Sequence, residues 1–229
     1  MLVHTEPVVF FGVGVASFTV STVYQLNYNY FAELNNFNTS TKEKGYDCLD
    51  KEISSEQKAT QNDVSAWSTK CQTVFMFACL LGFFLSALSD VYGRRSILLV
   101  TVFGQVLYTL LHSMQFFFDW PLELQYVANV INGLTGATTV LISVSVSGIA
   151  DLSIFTGKSI KLRMLIYEFC LGLGEFVVYF SMGIVIDHFR ASEYSGLLHA
   201  LVLAMIVQVL LMVYIFIFVT DKYQDFTLH

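Results

Sequence analysis

Two carboxylates lie inside an otherwise apolar stretch, Glu168 and Glu175 in MLIYEFCLGLGEFVVYFSMGIVI. They are seven residues apart with Gly172 four on from the first, so on a helix all three share one stripe. A carboxylate held in low dielectric exchanges a proton with water near neutral pH instead of keeping a fixed charge, which makes both candidates for proton coupling. Glu168 is only a turn and a half into the stretch, so pairing with Lys161 or Arg163 at headgroup depth is the structural alternative for it. A second polar stripe is formed by Gln105, Tyr108 and His112, and a third by Asn129, Gly133 and Ala137, spaced four apart. Neither gains from contact with acyl chains, so Gln105, His112 and Asn129 are candidates for lining a cavity, with packing against another helix as the alternative. Finally, Asp90, Gly93, Arg94 and Arg95 form a charged turn in SDVYGRR, and Asp151 is the expected partner of Arg94.

The elements that carry these groups must cross a lipid bilayer. Of 229 residues 55% are apolar and only 13% charged, against roughly 25% charged in soluble domains. The net charge of -6 offers no basic surface for nucleic acid. Hydropathy predicts an all-α, polytopic membrane protein with six transmembrane helices over 7–24, 67–88, 96–117, 126–150, 164–186 and 197–219. The charged turn at Arg94 joins two of these antiparallel, and it must sit in water or headgroups, because a charge at the bilayer centre costs roughly 2.5 to 3.5 kcal/mol on insertion scales. Gly93 permits the tight turn, Asp90 could cap the following helix, and the arginines could anchor to carboxylates.

Residues 27–66 are polar and are expected to form an extracellular or lumenal loop. Asn38, Thr39 and Ser40 form a glycosylation acceptor triplet within it. Cys48 shares this loop and is a disulfide candidate; pairing with Cys71 and a buried, inert Cys71 are both open. In the short loops, Arg94, Arg95, Lys158, Lys161 and Arg163 on one side oppose Arg190 on the other. The positive-inside rule then puts the Arg94 turn and both termini in the cytoplasm. No cysteine or histidine spacing suggests a metal site, and no cofactor is expected. Neither a nucleophile and base pair nor a phosphate-cradling loop is present, so the chain does not read as an enzyme.

SDVYGRR between two apolar helices resembles the loop between the second and third helices of the major facilitator superfamily, although the family's glycine and following basic residue are here Ser86 and Val91. With EPVVFF at Glu6 to Phe11, ADLS at Ala150 to Ser153 and LRMLIYE at Leu162 to Glu168, the chain resembles the proton-coupled folate transporter family, solute carrier family 46. That resemblance implies twelve helices in two halves, of which this chain matches the N-terminal six. It also implies that Glu168 couples protons and that Cys48 pairs with a cysteine of the second half. Asn129 and Ala137 stand where the founding member has an arginine and an aspartate, which argues against folate itself.

The expected function is therefore proton-coupled symport of a small organic, anionic solute, in the plasma membrane or an endolysosomal membrane. The expected partners are lipid, solute and protons, with a second six-helix half or self-association completing the pathway. The alternative is a truncated, non-transporting scaffold or modulator of a full-length relative.

Overall fold

The computed structural model describes residues 6–37, 55–157, 159–188 and 193–219. They form seven helices: α1 (Glu6–Leu34), α2 (Ser55–Tyr92), α3 (Arg94–Phe117), α4 (Leu124–Leu134), α5 (Ala137–Thr156), α6 (Ile160–His188) and α7 (Glu193–Phe218). Six segments are long and apolar enough to cross a membrane, with α4 and α5 together making the fourth. No strand occurs among the described residues.

The first two helices run well past their hydropathy-based bounds, into both ends of the expected 27–66 loop. Neither extension contains Gly or Pro, and a polar side chain does not stop a helix whose backbone groups stay bonded. Asn35 Nδ2 donates to Asp63 Oδ2 at 3.0 Å, tying the two extensions together. α1 ends where Asn36 turns left-handed at φ 53, with Phe37 N–H on Ala32 O and Asn36 N–H on Glu33 O, a Schellman closure.

The fourth span departs most from expectation. It breaks at Thr135 to Ala137, where Gly136 has φ 81 and Ala137 φ 46. The cause lies in the neighbours: α2 and α3 each approach this segment through a glycine. A Cβ on Gly82 would lie 2.4 Å from Gly133 O, and one on Gly104 would lie 1.9 Å from Thr135 Oγ1. Backbone this close replaces the side-chain packing that keeps an ordinary span straight.

Three apolar clusters run along the bundle. One lies toward the Arg94 turn and includes Val9, Leu98, Leu141, Val144 and Ile215. A second packs Val15 and Phe18 of α1 on Val178 and Met182 of α6 and on Ala200 and Ala204 of α7. The third gathers Val23, Leu26, Phe116 and Leu201 at the opposite end. In lipid no hydrophobic drive brings helices together, so close van der Waals fit and interhelical hydrogen bonds must hold them.

Candidate functional site

Between these clusters is a cavity of about 390 Å³ reached by every one of the six spans. Ser17, Thr19 and Ser21 come from α1, Gln72 from α2, Gln105 and Tyr108 from α3, and Asn129 and Asn132 from α4. Thr138 of α5, Tyr179 of α6 and Gln208 of α7 complete its polar wall. Among the described residues that line it there is no acid, lysine or arginine, and the ionisable ones are the two tyrosines. Gln72 and Phe75 also belong to a wider open groove of about 790 Å³ along α2, whose polar row includes Ser65, Ser68, Thr69 and Thr73.

The residues expected to line a cavity divide. Gln105 and Asn129 do so, and Asn129 Nδ2 donates to Gln125 O at 2.7 Å. His112 is buried but is absent from the cavity wall. Its ring rests 4.3 Å from that of Tyr108, and its Nδ1 lies 2.9 Å from Tyr108 O, so the stripe turns His112 into the bundle beyond the cavity's end. Of the small-residue face, Ala137 borders the cavity, whereas Gly133 packs against Ala78 and Phe75 of α2.

The two acids also divide. Glu175 is half-buried, and Ser17 Oγ donates to its Oε1 at 3.2 Å. One turn on, the Tyr179 and Ser21 hydroxyls are 2.8 Å apart. Ser17, Ser21 and Tyr179 all line the cavity, so the α1 and α6 contact is a polar seam that links Glu175 to it. Glu168 is exposed, together with Gly172, on the outside of α6. The shared stripe is real, but it starts on the open face and turns inward only at Glu175.

Ser17 reads in the sequence as part of a small-residue flank with Gly12, Gly14 and Ala16, for packing or for lining a cavity. Ser21 and Tyr179 give no distinct signal, because hydroxyl residues are common in spanning helices, where they bond their own backbone. Ser21 does this as well, donating to Ser17 O at 3.2 Å. The signal available was the i, i+4 match of Ser17 and Ser21 with Glu175 and Tyr179.

At the charged turn, Gly93 has φ 88, the left-handed conformation a glycine accepts freely. Arg94 Nη2 is paired with Asp151, its Nη1 donates to Val144 O at 3.3 Å, and Asp90 lies 3.6 Å away. The guanidinium thus ties α2, α3 and α5. Asp90 does not cap α3: Gly93 occupies the cap, no side chain bonds there, and the Asp90 side chain is 74% exposed. The positive φ at Gly93 swings the chain away before Asp90 can reach the free N–H groups. Arg95 donates to Phe216 O and stacks 4.8 Å over the Phe216 ring, favourable for a cation at the C-terminal end of α7. We expect the Arg94→Gln, Asp151→Asn double-mutant cycle to show a coupling of roughly 1 to 2 kcal/mol, between exposed and buried pairs. Chemical unfolding in detergent checks it, and a coupling near zero would remove the tie from any account of this end.

Asn38 and Cys48 lie outside the described residues. Cys71 is buried with its thiol 3.9 Å from Gln125 Oε1. Among the described residues no group of three His, Cys, Asp or Glu side chains comes together.

Comparison with known proteins adds one finding: the family pattern described as sugar (and other) transporter matches residues 13–221. No curated protein matches the chain. A six-span bundle around a polar cavity, a glycine-arginine turn after the second span and a family match over nearly the whole length agree, and the chain belongs to the sugar (and other) transporter family of the major facilitator superfamily.

Proposed function

We propose that this chain forms a six-helix wall of a proton-coupled symporter for a small polar organic solute, anionic in character. The observation that carries this reading is the Ser17 to Glu175 hydrogen bond, which connects an ionisable group within a span to a cavity wall made of amides and hydroxyls. A neutral, donor-rich wall suits oxygen-bearing solutes, and a carboxylate beside it favours an anion only once it holds a proton; solute and proton would then enter together. Glu168, on the open face of α6, is the second coupling candidate, placed where another six-helix unit would cover it. The row of exposed Ser65, Thr69 and Thr73 and half-buried Ser68 on α2 supports such a unit, since hydroxyls at this density are poor partners for acyl chains. That unit would be a second half or another copy, and the Arg94 turn with both termini would face the cytoplasm.

Membrane vesicles carrying the chain, assayed with a panel of labelled sugars and organic acids, test the coupling. Wild-type uptake should rise about tenfold as the outside is acidified by one to two pH units. Glu175→Gln should flatten that rise, because the amide cannot exchange a proton. Unchanged pH dependence in both Glu175→Gln and Glu168→Gln would show that neither acid couples.

A further inference from the structure

The break in the fourth span leaves an unequal set of backbone groups. The carbonyls that end α4 are already used: Ile131 O accepts from Thr135 N at 3.1 Å and from Thr135 Oγ1 at 3.0 Å, Asn132 O accepts from Thr135 Oγ1 at 3.1 Å, and Gly133 O accepts from Gly136 N at 2.9 Å. The N–H groups that begin α5 are not matched in this way. Val140 N is the first to find a helical carbonyl, Gly136 O at 3.0 Å. No backbone carbonyl of a described residue accepts from Ala137, Thr138 or Thr139, as expected for the first turn of a 20-residue helix.

This donor end opens on the cavity, which Ala137 and Thr138 line. Gln105 lines the same cavity from α3; it is 3% exposed, and both its Nε2 and its Oε1 are without a hydrogen-bond partner. Asn132, 8% exposed, brings a side-chain amide with an unpartnered Oδ1 to the same wall. A buried amide left unbonded on both atoms costs about 1 to 3 kcal/mol per group, so a side chain held this way marks a place where something else completes the bonding.

We infer that the first turn of α5 and the Gln105 amide form the subsite that holds a carboxylate of the transported solute, a hydroxyl-rich organic acid of monosaccharide size. The helix N-terminus supplies partial positive charge and several main-chain donors, and the Gln105 Nε2 adds one from the side. A carboxylate accepts at about four positions, more than a sugar hydroxyl, and needs no lysine or arginine when a helix end faces it. The remaining wall of amides and hydroxyls, among them Asn129, Gln208 and Tyr179, suits the solute's hydroxyl groups. The subsite rests on the reading of the cavity as the solute pathway.

The test is equilibrium binding of labelled D-glucuronate and D-glucose, which share a ring and differ in the carboxylate, to the whole chain in lipid nanodiscs. Glucuronate should bind at least about tenfold more tightly than glucose. Gln105→Glu, which opposes a carboxylate, should reduce that preference to about twofold or less. Thr138→Asp, whose side chain can occupy the donors of its own helix, should lose glucuronate while its thermal midpoint stays equal or rises. Glucose bound as tightly as glucuronate, or a preference untouched by both variants, overturns the subsite and leaves the cavity reading standing. Binding of neither sugar overturns both.

Discussion

Gly174→Val is expected to reduce the yield of folded, monodisperse protein about tenfold or more, while Gly172→Val, two residues away on the same helix, leaves it unchanged. A Cβ at Gly174 would lie 2.2 Å from Phe10 O and 2.8 Å from the Phe10 carbonyl carbon and Cα. These are backbone atoms of α1, so nothing can move aside except the whole helix. The crossing is tight from both sides: a Cβ on Gly14 would lie 3.0 Å from Gly174 O. Parting α1 from α6 by the width of a side chain would also pull Ser17 from Glu175 and Ser21 from Tyr179. Overpacking alone costs about 1 to 3 kcal/mol, and the lost hydrogen bonds about 0.6 kcal/mol each in a bilayer, enough for the stated drop. A Cβ at Gly172 meets nothing within 4 Å. Because both variants add the same side chain to the same span, differences in membrane insertion or helix propensity cancel. Size-exclusion profiles of the two in detergent decide the matter, and equal yields would mean that α1 and α6 do not cross here.

How much of this was legible in the sequence depends on which physical signal carried it. Hydropathy located six spans because the cost of burying charge is large, and a Gly-Arg-Arg turn between two of them had few ways to fold. The Arg94 to Asp151 pairing also followed, since an arginine at that depth needs an acid and Asp151 lies at a neighbouring helix end. Where the signal was periodic, the outcome was partial. Gln105 and Asn129 face the cavity, but His112, on the same stripe as Gln105, lies past its end. A stripe gives an angle around a helix and says nothing of how far a cavity extends along it. Likewise the Glu168 and Glu175 stripe was correct as an angle, yet Glu168 is exposed and Glu175 half-buried, because the stripe runs beside the buried row of Tyr167, Gly174, Val178 and Met182 rather than along it. The break at Gly136 was hidden because Gly and Thr are ordinary in spanning helices. Only the close approach of Gly82 and Gly104 from two other helices makes it intelligible.

Gln125 shows the same limit from another side. It lies one residue before the expected start of the fourth span, yet it joins three helices, and its replacement by leucine should loosen that end of the bundle. Its Nε2 donates to Asn27 Oδ1 at 2.7 Å, and its Oε1 accepts from Asn27 Nδ2 at 3.2 Å and from Trp67 Nε1 at 2.9 Å. The amide is 1% exposed and Asn27 6% exposed, so water cannot replace the bonds that Gln125→Leu removes. Leaving Asn27 and the Trp67 N–H unmatched should cost about 2 to 4 kcal/mol, the sum of two or three unsatisfied groups discounted for relaxation. The loss has a local reporter, because the Cys71 thiol is buried against the same oxygen. Maleimide labelling of Cys71, followed in a variant whose other cysteines are serine, should accelerate at least about tenfold in Gln125→Leu, in step with the lost stability. The double variant Asn27→Leu, Gln125→Leu should recover part of the loss, since removing both halves of a buried polar pair strands fewer groups than removing one. Labelling at the wild-type rate in Gln125→Leu would show that α1, α2 and α4 are held together at this end by apolar packing around Leu26 and Val64, and that the amide hub contributes nothing to closing it.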